Sequence, residues 1–278
     1  MIRNKVIYYT VIVILVAILI FSGVQVARYA IDTMQQKNAY DDLAAMVEQS
    51  RAEPAPAVPV SPTEDQIQPT TPTAPAAPTE PTEPVMLPEY AALYAENPDT
   101  VGWLRIDGTV INYPVMQTPD RPDYYLKRNF QKEQNAHGCI YVRESCDVFL
   151  PSDNVTIYGH HMKNGSMFAG LDHYGKKKFW EEYPTINFDT LYERNTYTVF
   201  AVFVTTATVG KGFAYHAFED AADAEEFDDF VAQCKELSIY DTGITPQFGD
   251  KLICLSTCEY SRTNGRLVVA AVRDPVTP

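Results

Sequence analysis

The chain opens on an uninterrupted apolar run. From Val6 to Val26 it reads VIYYTVIVILVAILIFSGVQV, with no charged residue and only Thr10, Ser22 and Gln25 clearly polar. Such a run predicts a helix, and at 1.5 Å per residue it spans about 30 Å, the thickness of a bilayer's hydrocarbon core. Arg3 and Lys5 precede it, so the preference for basic residues on the cytoplasmic side puts residues 1–5 inside the cell and everything after the span outside. The run is longer than the apolar core of a cleaved signal peptide, and no small-x-small cleavage site follows it at once. It therefore reads as a permanent single-pass anchor.

Beyond the anchor the pattern weakens. Residues 27–51 carry a loose helical stripe of Ile31, Met34, Leu43, Met46 and Val47, which predicts a juxtamembrane helix. Residues 52–87 change character: proline recurs every two or three positions, threonine and alanine fill the gaps, and lysine and arginine are absent. Proline excludes a helix or a central strand there, and too little apolar mass is present to offset the entropy of ordering. The expectation is a semi-rigid, partly polyproline II stalk that spaces the remainder from the lipid.

From residue 88 to 278 short β-branched and aromatic runs alternate with Gly, Pro, Asn and Asp, the pattern of an all-β sandwich or barrel. Strands are expected over Val101–Ile106, Val110–Met116, Gly138–Val142, Val155–Tyr158, Thr196–Thr206, Lys251–Thr257 and Leu267–Arg273. Helical segments are few. Glu89–Glu96 forms a short entry helix, Met167–Tyr174 and Lys176–Tyr183 form helical turns, and Ala221–Leu237 has the clearest amphipathic period, with Phe227, Phe230, Val231 and Leu237 on one side. The chain has no internal repeat.

Charge narrows the possible partners. With 22 basic and 36 acidic residues the formal net charge is −14, which excludes a sequence-independent grip on nucleic acid, since that grip depends on Lys and Arg neutralising phosphates. The five cysteines, Cys139, Cys146, Cys234, Cys254 and Cys258, are odd in number and lack CxxC spacing. Neither a complete disulfide framework nor a zinc ribbon fits them, and at least one thiol is left free.

One of those thiols sits where chemistry is possible. The segment KLICLSTC ends an apolar strand on Cys258, and EYSRTNGRLVVAAVR follows, so that Arg266 opens the next strand eight residues on. A hairpin would bring the guanidinium back to the thiol. In NVTIYGHHMKNGSMF, His160 lies just past another strand, with Gly159 permitting close approach. A thiol of ordinary pKa, about 8.5, is mostly protonated at neutral pH and needs an imidazole or a cation nearby to become a nucleophile. The imidazole then returns a proton to the leaving amine, while a fixed cation and the Glu259 N–H stabilise an oxyanion. Taken alone, strand-end Cys and His residues are more often structural than catalytic.

The motifs sharpen this reading. LSTCEYSRTNGRLVVAA resembles the sortase signature, a Thr-Leu-x-Thr-Cys stretch followed by a strand-opening arginine, and YGHHM resembles that family's Gly-His segment. GWLRIDGTVINYPVMQ, DYYLKRNF, GCIYV and the helix between Phe218 and Leu237 are similar to the class B branch. The resemblance covers about residues 87–273. It implies a mostly β sortase-like closed barrel with a short N-terminal helix and one helix inserted between late strands. It also implies a transpeptidase that cleaves a C-terminal sorting motif after Thr, through an acyl-enzyme thioester, and passes the substrate protein to a peptidoglycan-precursor amine. Carried over, Cys258 is the nucleophile, His160 the acid/base and Arg266 the oxyanion-stabilising or substrate-orienting cation; no metal or organic cofactor is required. His161 competes with His160, and Arg262 and Arg273 with Arg266, but less well. Ser256, Thr257, Tyr141, Met167 and Glu259 are candidate substrate-binding residues. Cys254 stands where the family usually has threonine and reads as a tolerated small-residue exchange. A pilin-polymerising sortase or a hydrolytic cysteine protease would use the same groups.

Overall fold

In a computed structural model of the chain, residues 2–52, 84–208 and 210–275 are described, with side chains from residue 7 onward. The first element is a continuous helix, α1 (Ile2–Ala52). It is long and apolar enough over its N-terminal part to cross a membrane, and its residues 7–21 are exposed throughout. The other helices are α2 (Pro88–Glu96), α3 (Lys177–Glu182) and α4 (Ala224–Leu237).

Eight strands close a mixed barrel: β1 (Thr100–Arg105), β2 (Asn112–Met116), β3 (Ile140–Val142), β4 (Asn154–Tyr158), β5 (Thr185–Thr190), β6 (Thr196–Thr206), β7 (Leu252–Glu259) and β8 (Gly265–Arg273). Their spatial order is β1-β2-β3-β4-β7-β8-β6-β5, and β5 pairs with β1 to complete the circle. β2–β3 and β4–β7 are parallel and the remaining pairs antiparallel. The predicted fold class is therefore realised. Seven strands fall where β-branched runs predict them, and β5 is additional.

Alternation along the strands builds two layers. Inward residues such as Leu104, Ile157, Val202, Ile253, Leu255 and Val269 fill the barrel. Outward residues of β6, β7 and β8, among them Phe203, Cys254, Val268 and Ala270, form a second cluster under α4. That helix starts at Asp223, whose side chain accepts the Glu226 N–H at 3.0 Å, and it buries Phe227, Phe230, Val231 and Cys234. Those positions, spaced three, four and seven apart, share one face. Each large apolar side chain so buried stabilises the layer by roughly 1.5–3 kcal/mol.

The C-terminal half of α1 belongs to this globule. Gln36, Tyr40, Leu43 and Val47 are buried, a narrower and shifted stripe compared with the sequence expectation, since Ile31 and Met34 are exposed. At the end of the helix Arg51 donates to Asp189 at 2.6 Å and to the Tyr90 hydroxyl at 2.7 Å, while Tyr90 donates to Asp189 at 2.6 Å. On the far side of the proline-rich segment, the Leu87 N–H donates to Leu191 O at 2.8 Å. The expected stalk falls mostly outside the described residues, but both its flanks rest on the barrel. The helix that would cross the membrane thus docks on the barrel before the segment begins.

Candidate active site

Strand register assembles the site. β7 lies between β4, its parallel neighbour, and β8, its antiparallel one. Tyr158 of β4 is opposite Ser256, so the chain beyond β4 carries His160 alongside Cys258, two residues further on. On the other side Cys258 is directly paired with Arg266. Partners in register project to the same face of a sheet, here the outer face. Further back this face is sealed by α4 through Cys254; at Cys258 it opens.

The opening is a cleft of about 330 Å³ lined by Cys258, His160 and Arg266 together with Asp123, Leu126, Tyr141, Arg143, Glu144, Tyr158, Gly159, Ala207, Tyr215, His216, Ser256 and Thr257. The three expected catalytic candidates therefore share one cavity. Two short bonds fix the His160 segment to β7: the Gly159 N–H donates to Ser256 O at 3.1 Å, and the Thr257 hydroxyl donates to Gly159 O at 2.8 Å. The ring is oriented by the Leu126 carbonyl, 2.6 Å from Nε2. A carbonyl can only accept, so Nε2 carries the proton and Nδ1 is left to take and return one. His161 turns elsewhere, donating to Asp172 at 2.7 Å and packing edge-on against Tyr260.

Cys258 is set apart from the other thiols. Cys139, Cys146, Cys234 and Cys254 are all buried, whereas Cys258 is partly exposed. Burial pushes the Cys139 thiol up to about 12 and Cys146 to about 11, and it raises Cys234 and Cys254 as well. Arg266 is held through Nη1, which donates to Gly265 O at 2.9 Å. Arg262 lies on the exposed β7–β8 turn, and Arg273, at the far end of β8, pairs with Glu193 at 2.8 Å.

The candidate binding residues divide. Tyr141 lines the cleft, with its hydroxyl donating to Asp123 at 2.7 Å. Ser256 and Thr257 also line it, but their hydroxyls are engaged, Ser256 with Tyr215 at 2.6 Å and Thr257 as described. Met167 does not line it: the residue is 1% exposed, with its N–H donated to the Tyr113 hydroxyl. Glu259 does not line it either; its carboxylate accepts from the Ser261 N–H and hydroxyl at 2.8 and 2.7 Å, closing the β7–β8 turn. Sequence reasoning did not name Asp123, Arg143, Tyr215 and His216: Asp123 opens the DYYLKRNF segment without marking a role, Arg143 directly follows β3, and Tyr215 and His216 lie on a short 3₁₀ turn, Tyr215–Ala217. Burial, then Arg143 and Arg266, hold the His216 ring below the usual histidine range. Among the described residues no cluster of three or more His, Cys, Asp or Glu is disposed to hold a metal.

A partly exposed thiol, an imidazole with one oriented nitrogen and a fixed guanidinium make up the equipment of acyl transfer through a thioester. Comparison with known proteins identifies the family. The pattern described as Sortase domain matches residues 104–274. Sortase B of Staphylococcus aureus is 33% identical over 186 residues, 66% of this chain and 74% of the relative. Sortase B of Listeria monocytogenes is 35% identical over 176 residues, 62% and 69% of the two chains. A Bacillus anthracis crystal structure described as similar to sortase B superposes with a TM-score of 0.67 at 30% identity, over 86% of this chain and 96% of that one. The chain belongs to the sortase family of cysteine transpeptidases, and within it is similar to sortase B.

Proposed function

We propose that this chain is a membrane-anchored sortase whose nucleophile is Cys258, whose acid–base group is His160 and whose oxyanion-stabilising cation is Arg266. The convergence of these three side chains on one outward cleft, by the register of β4, β7 and β8, carries the reading. The Cys258 thiolate attacks the carbonyl carbon of a threonine in a C-terminal sorting motif. The resulting oxyanion is met by Arg266 and the backbone N–H of Glu259. His160 gives its proton to the departing amine, the C–N bond breaks, and a thioester remains. An amine of the peptidoglycan precursor then attacks the thioester, His160 takes the proton it sheds, and the thiolate leaves as the new amide forms. The product is a secreted protein joined to the cell wall.

The apolar part of α1 supports single-pass anchoring, with residues 1–5 cytoplasmic and the barrel outside. We take residues 6–26 as the span and place the catalytic barrel within residues 88–278.

The test is mass spectrometry of the full-length protein after incubation with a peptide library carrying internal threonine, with and without triglycine or diaminopimelate. The expected result is a thioester on Cys258 that the amine discharges into a transpeptidation product. Release unaffected by either amine points to a hydrolytic protease, and unchanged turnover in Cys258→Ala defeats the reading altogether.

A further inference from the structure

Resting on the reading of His160 as the acid–base group, we infer that Tyr40, on the docked half of α1, is a positioning residue for it. The imidazole is aimed by the Leu126 carbonyl, and that carbonyl belongs to a single 3₁₀ turn, Tyr124–Lys127, outside the barrel's strand ladders. Its support is the segment at Gly138. A Cβ on Gly138, which has φ +59°, would lie 2.6 Å from Leu126 O and 2.7 Å from Tyr125 O. The backbone there is wedged against the carbonyl that holds His160. The Cys139 N–H closes the contact by donating to Tyr125 O at 3.0 Å.

Tyr40 holds the wedge from the other side. Its hydroxyl, in a side chain 4% exposed, donates to Gly138 O at 2.9 Å. Its ring meets Tyr113 edge-on, with centroids 4.9 Å apart. The Tyr113 hydroxyl accepts the Met167 N–H at 3.3 Å, and the next N–H, that of Phe168, donates to His160 O at 2.9 Å. One residue of α1 therefore backs both segments that grip His160 at one remove, the Leu126 turn through Gly138 and the Met167–Phe168 backbone through Tyr113. The ring packs in the core, while the hydroxyl is spent on the Gly138 peptide and on Cys139 Sγ at 3.4 Å, both in the segment behind the Leu126 turn. The helix that leads toward the membrane is in this way part of the frame of the reaction, and Tyr40 acts without touching the substrate.

The test compares Tyr40→Phe with Val47→Ala in the full-length protein in detergent micelles. Val47 is buried on the same stripe and its side chain makes no polar contact. Two readouts need no natural substrate: the ¹⁵N signals of the His160 ring, which report the Nε2–H tautomer, and the rate at which iodoacetamide alkylates Cys258. Tyr40→Phe is expected to erode the Nε2–H signature and to slow alkylation about tenfold, as loss of alignment between thiol and imidazole does. Val47→Ala is expected to lower Tm while leaving both readouts unchanged. Signals and rate within twofold of the parent in Tyr40→Phe overturn the inference, and so does equal damage in Val47→Ala. His160→Ala separates the two levels. A parental alkylation rate there sinks the reading of His160 and the inference with it, whereas a slow rate beside a normal Tyr40→Phe sinks the inference alone.

Discussion

Cys258 and Arg266 face each other as direct partners across the antiparallel β7–β8 ladder, one pair before its end at the turn. The guanidinium is thus delivered to the thiol by strand pairing and not by a mobile loop, and its bond to Gly265 O restricts its swing. Arg266→Ala is expected to lower the turnover of a reactive sorting peptide by about 10²-fold, the usual loss on removing an oxyanion donor. Arg266→Lys should recover only part of this, because an ammonium lacks the planar fork. Steady-state kinetics check it, and near-parental rates in Arg266→Ala would remove this residue from the mechanism.

The thiols should differ sharply toward electrophiles. Four of them are buried, with Cys146 raised to about 11 and Cys139 to about 12, so they offer almost no thiolate at neutral pH. Intact-mass measurement after iodoacetamide is expected to show one adduct on the native chain, located at Cys258, and five adducts after unfolding. A native adduct on Cys254 would instead support a second reactive thiol.

The strands were legible because β-branched runs alternate wherever one face meets a core; Thr196–Thr206 coincides with β6 to the residue. β5 escaped because its sequence, TINFDT, carries Asn187 and Asp189, which read as turn formers. Asp189 is retained in a strand by Arg51 and Tyr90, partners 138 and 99 residues away that no local pattern reveals. Ile31 and Met34 misled for the opposite reason: a stripe records apolarity, not which part of a helix finds a partner. The Cys, His and Arg of the site were readable because each ends or opens a strand and the register does the rest. Asp123, at the start of the Tyr124–Lys127 turn, and Tyr215 and His216, on the Tyr215–Ala217 turn, reach the cleft from short 3₁₀ elements between strands, so their placement is set by tertiary packing that strand patterns do not show. Met167, read as a candidate binding residue, is buried instead, since a methionine fits a core as readily as a groove.

Acid should loosen the contact between α1, α2 and the barrel. Burial alone would raise the Glu89 carboxyl, but its own backbone N–H, Arg194 and Arg51 hold it below the usual carboxylate range. Asp99, beside Lys132 and Tyr125, and Asp153, beside Lys251, are likewise lowered against their burial. A carboxyl depressed in the folded state contributes fully above its unfolded value of about 4, and the contribution vanishes as pH falls through the lower folded value. Tm is therefore expected to drop progressively below about pH 4. Glu89→Gln should start less stable at neutral pH and show a shallower acid decline. A parallel decline in parent and variant would mean that other carboxylates carry the effect.

Gly159 joins β4 to His160, and its missing side chain is what lets the two neighbours close in. A Cβ there would lie 2.6 Å from Ile140 Cδ1 and 2.6 Å from Phe168 Cγ. Phe168 is fully buried, and its N–H donates to His160 O. Gly159→Ala must displace either this ring or the segment carrying the histidine, and overpacking of that kind costs about 1–3 kcal/mol. If the ring yields, Tm falls and activity persists; if the segment yields, His160 moves and turnover falls by more than the stability loss explains. The second outcome is expected, because the Phe168 ring is enclosed by the barrel core whereas His160 lies outside it, held by one ring bond, one backbone bond from the Phe168 N–H and the links of Gly159 to β7. Gly175→Ala is the matched control, since a Cβ there meets nothing within 4 Å. Phe168→Leu combined with Gly159→Ala should restore part of the turnover by giving the new methyl group room, and a double variant no better than Gly159→Ala would show that Phe168 is not the obstacle.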